Sequence, residues 1–193
     1  MKQRRLWGIL LLFGCVTLSM ATLAWSEGWE WGEHEEHERS SFLRQTAGVP
    51  PVINKAYKNE CSACHFAYPA GFLPERSWVK IMGTLDDHFG ENAELDAQTV
   101  TEIETYLRSH AADRAPNRFS RSIVRSIGSH NTPLRITDTS YFRRKHGEIS
   151  PRMVKGNSKV RSFSNCLSCH TGAAQGSFDE DGVKIPGYGR WDD

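Results

Sequence analysis

Cys61-Ser62-Ala63-Cys64-His65 and Cys166-Leu167-Ser168-Cys169-His170 are two copies of one pentapeptide pattern, C-x-x-C-H, about a hundred residues apart. On a helical turn, residues three and four apart share a face. Two thiols at i and i+3 can therefore add to the two vinyl groups along one edge of a porphyrin. The histidine that follows is then held at the iron as its proximal ligand, and the pattern is the attachment signature of a c-type haem. Two copies predict two covalently attached haems c, one on Cys61 and Cys64 and one on Cys166 and Cys169, with His65 and His170 on the irons.

Zinc and disulfides are the competing uses of such cysteines. A zinc site built from two C-x-x-C pairs spaces them by about 15–20 residues, far closer than these. Neither zinc nor a disulfide framework gives a reason for a histidine directly after both pairs. The cysteine count also closes on the haem reading. Of five cysteines, Cys15 falls in an apolar N-terminal run and the other four are the haem thiols.

That N-terminus reads as an export signal. Lys2, Arg4 and Arg5 form a positive start, an apolar run follows from Leu6 to about Trp25, and small residues around Ala21 to Ser26 offer cleavage after Ala24. Haem attachment to exported apoprotein requires the same topology, so a periplasmic location is expected, with residues 1–25 as signal. The run also approaches the roughly 20 residues that span a bilayer, which makes an uncleaved membrane anchor the alternative. Residues 26–45 are acidic and carry His34 and His37. They read as a solvated linker, with loose metal binding as the other use. At 193 residues and a formal net charge of +1, the chain has room for one domain or two small ones and makes no case for nucleic acid.

The elements that must carry the two motifs are mostly helical. After the first motif, residues 66–74 form an aromatic, proline-bearing loop. Ser77 is then expected to cap a helix running to about Asp87, with Trp78, Ile81, Met82 and Leu85 on one face. His88-Phe89-Gly90-Glu91-Asn92 breaks it. A second helix is expected from about Asp96 to Ala111, with Val100, Ile103 and Leu107 facing the core. This order resembles a class I cytochrome c domain shortened in its middle, and it predicts a first haem domain over 46–115. A linker near 112–118 leads to a second haem domain, 116–193. That half is basic and irregular, with short helices near Ser120–Ile127 and Ser140–Lys145 and a Gly-rich tail after Thr171. Each half is too small for a generous apolar core, so both should depend on buried porphyrin for stability.

The second axial position decides between carrier and enzyme, since a strong-field ligand saturates the iron while an open site admits peroxide or diatomic ligands. For the first haem the residues favour His88, in a Gly-flanked loop between two helices, over Met82, which also fits the core stripe. His110 sits near the end of an exposed helix face, where a cation suits the dipole. For the second haem, His146 follows the aromatic pair Tyr141-Phe142, whereas His130 lies in a turn sequence. Periodicity alone leaves both choices open.

Here the residues carry a resemblance. Cys61-Ser62-Ala63-Cys64-His65-Phe66-Ala67-Tyr68-Pro69, Leu73-Pro74-x-Arg76-Ser77-Trp78 and His88-Phe89-Gly90-x-Asn92-Ala93-x-Leu95 resemble the bacterial dihaem cytochrome c family. So do Arg135-Ile136-Thr137, Phe142-x-x-Lys145-His146-x-Glu148-Ile149 and Asn165-Cys166-x-x-Cys169-His170. The resemblance covers almost the whole exported chain. It implies His65 with His88 at one iron and His170 with His146 at the other. It also implies single-electron transfer in the periplasm with other redox proteins, such as a monohaem cytochrome c or a membrane b-type cytochrome. Any membrane contact would come through such a partner or an uncleaved N-terminus. The rival function is a dihaem peroxidase or gas-binding cytochrome with one open haem.

Overall fold

In the computed structural model of the chain, residues 48–191 are described. The expected signal, Cys15, and the linker with His34 and His37 lie outside them. Among the described residues, six α-helices carry most of the order: α1 (Lys55–Cys61), α2 (Glu75–Met82), α3 (Ala97–Ser109), α4 (Arg118–Ile127), α5 (Ser140–Lys145) and α6 (Pro151–Val154). Three short 3-10 turns lie between them and three more follow α6. A hairpin of β1 (Lys184–Ile185) and β2 (Gly189–Arg190) ends the fold, pairing antiparallel with Ile185 opposite Gly189.

Side-chain caps set where most helices begin. Asn54 accepts from the Tyr57 N–H at 2.7 Å to start α1, and Asp96 accepts from the N–H groups of Gln98 and Thr99 to start α3. Asn117 does the same for Ser120 at α4, and Thr139 for Phe142 at α5. The expected start at Ser77 is displaced. Pro74 takes the cap position of α2, and Ser77 lies inside the helix, fully buried with an unpartnered hydroxyl. Proline suits a helix start because the first turn has no use for its missing N–H. The helix also ends earlier than the apolar stripe suggests: Met82 is its last residue, and Leu85–Asp87 follows as a separate 3-10 turn.

The largest core lies between α2 and α3. Trp78, Ile81 and Met82 pack against Ile103, Tyr106 and Leu107, joined by Tyr57, Ala67, Ala70 and Leu73. The Trp78 indole N–H donates to the Ala70 carbonyl at 2.8 Å, so the aromatic loop after the first motif is fastened to α2. Glu75, at the start of α2, is held by both Arg108 of α3 (2.9 Å) and Arg114 (2.6 Å). A second cluster joins parts of the chain far apart in sequence: Val49 and Phe72 pack with Ile123 and Ile127 of α4. The Val49 N–H donates to the Gly176 carbonyl at 3.0 Å, tying the start of the described chain to its tail. Among the described residues, no helix is long and apolar enough to cross a membrane.

The hairpin has no counterpart in the sequence pattern. Two-residue strands carry almost no periodic signal, and the chain reverses between them through positive φ at Gly187 in the turn and at Gly189 where β2 begins. Its function is local. The Lys184 N–H donates to the Cys169 carbonyl at 3.0 Å, and His170 forms an isolated bridge with Val183, so the tail holds the second motif.

Candidate functional site

Each C-x-x-C-H motif sits on one turn of chain in the wall of an apolar cavity. Cys61 ends α1, and the turn after it carries Cys64 and His65. Cys166 starts a 3-10 turn, and the His170 N–H returns to the Cys166 carbonyl at 2.9 Å. The spacing therefore brings two thiols and an imidazole to one side of each turn, as a helical turn requires. Burial pushes the Cys61 and Cys166 thiols up to about 11, so both are neutral thiols at ordinary pH. The two cysteine pairs do not meet in one site: among the described residues, no three of His, Cys, Asp or Glu gather around a point.

His88 faces His65 across the first cavity, with ring centroids 6.1 Å apart and planes at 19°. Its position comes from a four-residue turn. The His88 N–H donates to the Glu91 carbonyl at 2.7 Å and the Glu91 N–H returns to His88, with Phe89 (φ 61°) and Gly90 (φ 99°) between them. Positive φ at both central positions is the geometry of a type I′ turn, which glycine meets freely and phenylalanine only under strain. That strain has a support: the Arg135 guanidinium lies 3.9 Å from the Phe89 ring centroid, a cation–π contact from the other half of the chain.

His146 faces His170 across the second cavity, with ring centroids again 6.1 Å apart but planes at 65°. It is the residue that ends α5, and its Nδ1 lies 3.0 Å from the Phe142 carbonyl. On the first side, His65 Nδ1 lies 2.8 Å from the Phe66 carbonyl. Each such contact uses Nδ1–H as the donor and leaves the other ring nitrogen free to bind a metal. Burial lowers the pKa of His88, His146 and His170, with His65 and Arg135 adding to the effect at His88 and His146 to that at His170, which falls to about 4. These three imidazoles are neutral near pH 7, the form that carries a lone pair for a metal.

The cavities fit a haem apiece. A ligating imidazole nitrogen stands about 2 Å from its metal, with the ring centroid roughly 1 Å behind it, so two imidazoles on opposite faces of one iron have centroids about 6 Å apart. Both histidine pairs meet that spacing. The empty space, mouth included, is about 1810 Å³ around His65 and His88 and about 1130 Å³ around His146 and His170. Each cavity carries its C-x-x-C thiols on the wall and is otherwise mainly apolar. His170 Nδ1 is buried with no hydrogen-bond partner. Ile136, Phe142, Phe163 and Cys166 line both cavities, so the two sites share a wall that includes a thiol of the second motif.

The other candidates do not face either motif histidine as His88 and His146 do. Met82 is buried in the α2–α3 core and lines the first cavity, while His65 has His88 opposite it. Exposed His130 lines neither cavity. His110 ends α3, its Nδ1 2.9 Å from the Tyr106 carbonyl. The sequence marks Phe142 as half of the aromatic pair before His146 and Arg135 as part of a motif in the resemblance, but carries no signal for Phe163.

Two haem-sized cavities, each with a C-x-x-C-H turn on its wall and a second imidazole opposite, define a dihaem c-type cytochrome. The chain belongs to the dihaem cytochrome c family, whose sequence pattern matches residues 57–178. Among solved structures it is similar to the dihaem cytochrome c of Shewanella baltica OS155, with 47% identity and a TM-score of 0.60 over 72% of this chain and 98% of that one. It is likewise similar to the dihaem cytochrome c from Rhodobacter sphaeroides, with 47% identity and a TM-score of 0.59 over 67% of this chain and 100% of that one. No curated protein matches it. The chain is thus an electron-transfer cytochrome with two covalently bound c-type haems.

Proposed function

We propose that the chain is a periplasmic carrier of single electrons whose two irons are each held between two histidines. His65 and His88 take the first haem, bound through Cys61 and Cys64. His170 and His146 take the second, bound through Cys166 and Cys169. The bound haem supplies one-electron redox chemistry, while the protein sets its ligands, spacing and surroundings. The observation that carries the reading is the shared 6.1 Å separation of the two histidine pairs. The neutral state of the buried imidazoles supports it, and so does the shared wall, which keeps the two redox centres close.

The two expected haem domains are residues 46–115 and 116–193. The first half carries an excess of acidic residues and the second an excess of basic ones. This polarity suits a carrier that meets two partners of different charge, a monohaem cytochrome c and a membrane b-type cytochrome being the kinds expected. The basic start and apolar run of the N-terminus support export to the periplasm, and cell fractionation checks that.

The test is ligand occupancy. The oxidised protein should show two low-spin haems and no sulfur-to-iron absorption band. Its mass should exceed that of the polypeptide by two haems. The reduced protein should not take up carbon monoxide quickly. His88→Ala should open one haem and His146→Ala the other, each variant binding one equivalent of carbon monoxide. Rapid stoichiometric binding by the unaltered protein would overturn the proposal in favour of a peroxidase or gas-binding cytochrome.

A further inference from the structure

We propose that Phe142 fixes the plane of the His146 imidazole, so that the two haems differ in the angle between their axial ligand planes. The inference rests on the bis-histidine reading above. At the first site the imidazole planes of His65 and His88 lie 19° apart, close to parallel; at the second, those of His146 and His170 lie 65° apart.

The cause is visible around His146. The Phe142 ring lies almost parallel to the His146 ring, with planes 10° apart and centroids at 3.9 Å. The same residue accepts from His146 Nδ1 through its carbonyl at 3.0 Å. Phe163 stands edge-on to both, at 87° to Phe142 and 86° to His146. One face and one edge of the imidazole are therefore occupied, and its Nδ1–H is bound. Rotation about the iron–nitrogen axis would break the stack and the hydrogen bond together. His170 answers to different neighbours, with Phe178 at 5.3 Å and no partner for Nδ1. His88 has no such stack on its own side of the first cavity, where its neighbour Phe89 stands at 67° to it. Groups beyond the ligands orient a metal-bound histidine in the same manner at other metal sites.

The consequence is electronic. An imidazole donates π density to iron along the normal to its ring. Two near-parallel rings act on one d orbital and split it from its neighbour, whereas twisted rings act on both and leave them nearly equal in energy. The first arrangement gives a rhombic low-spin ferric resonance. The second gives a strongly anisotropic one with a single very large g value. Ferric iron is also less well stabilised in the twisted case, so the second haem should be the more readily reduced of the two, other surroundings being equal.

Low-temperature electron paramagnetic resonance of the oxidised, haem-loaded full chain tests this. The expected spectrum has one rhombic low-spin signal and one large-g signal in equal spin count. Phe142→Leu keeps the backbone carbonyl and an apolar side chain but removes the parallel ring. It should shift or abolish the large-g signal while leaving the rhombic one in place, with both haems still attached and low-spin. Phe142→Tyr, which restores the ring, should return the original pattern. Two rhombic signals in the unaltered protein would overturn the inference, as would a large-g signal that Phe142→Leu leaves untouched. The spectrum of the unaltered protein decides the matter even if the leucine variant fails to fold. A high-spin signal there would instead count against bis-histidine ligation itself, so the two failures are distinguishable.

Discussion

The hydroxyl of Tyr68 donates to the carbonyl of Ser164 at 2.8 Å, while the Tyr68 ring stacks on His65 with centroids at 5.0 Å and planes at 24°. One side chain thus joins the histidine of the first motif to the segment leading into Cys166 of the second. The Ser164 carbonyl also lies 3.7 Å from the Cys166 sulfur. Burial is the main cause that pushes the Tyr68 hydroxyl up to about 12, so it remains a donor across the ordinary pH range. The backbone of Tyr68 is fixed as well, since its carbonyl accepts from the buried Tyr57 hydroxyl at 2.7 Å.

Tyr68→Phe should therefore keep the stack and lose the tie. A single intramolecular hydrogen bond is worth about 0.5–1.5 kcal/mol, and denaturant unfolding of the haem-loaded protein should show a loss of that order. Tyr68→Ala should lose more and should also perturb the first haem's spectrum. Equal stability of the phenylalanine variant and the unaltered protein would mean that the bond contributes nothing.

Glu75 gives a pH dependence with a definite sign. Hydrogen bonds from Arg114 and then Arg108 hold its carboxyl below the usual value. A folded pKa below the unfolded one means that the stabilisation is fully present above the unfolded carboxylate pKa, about 4.3. It is lost as pH falls through the folded value. The difference in melting temperature between the unaltered protein and Glu75→Gln should be largest near neutral pH, shrink below about pH 4 and weaken in high salt. A gap that stays constant down to strongly acid pH would show that the carboxylate charge plays no part.

The chemistry is plainer in the sequence than the scaffold is. Cysteine and histidine spacing within each motif is local, so it can be read directly, and the helices α3 and α5 are marked by Asp96 and by an aromatic–basic run. The start of α2 is harder to read because Ser77 has the chemistry of a cap, whereas Pro74 fills that position and the serine hydroxyl is buried without a partner. Long-range pairing leaves no periodic trace. Nothing local to Val49 shows that it packs with Ile123, or that Phe142 belongs to the walls of both cavities. Such contacts depend on how turns bring distant segments together.

Bound porphyrin would supply much of the apolar contact that this small chain lacks. Cavities of about 1810 and 1130 Å³, mouths included, lie beside apolar clusters built on short helices. A chain with Cys61, Cys64, Cys166 and Cys169 all changed to Ser should keep part of its helical circular dichroism but lose cooperative unfolding and bind hydrophobic dyes. A sharp two-state transition in that variant would show that the helices pack without the cofactor.

Gly176 is the sharpest local test of how the tail is held. Its φ of +81° is one that L side chains rarely adopt, and a Cβ there would stand 2.0 Å from the Val49 carbonyl oxygen. Backbone, not a movable side chain, is what it would strike. Val49 itself is buried in the cluster with Phe72, Ile123 and Ile127. Gly176→Ala must therefore either push Val49 out of that cluster or change the backbone path beyond His170. The left-handed conformation alone costs a non-glycine residue about 1 kcal/mol or more, and the clash adds to it. Gly182, by contrast, has open space where a Cβ would stand, with nothing within 4 Å, and no positive φ. Gly182→Ala should accordingly change stability by no more than about 0.5 kcal/mol. In paired unfolding measurements on the haem-loaded protein, Gly176→Ala should lower the melting temperature clearly while Gly182→Ala leaves it nearly unchanged. Should the two variants melt together at the original temperature, the Val49–Gly176 contact does not hold the tail against the core.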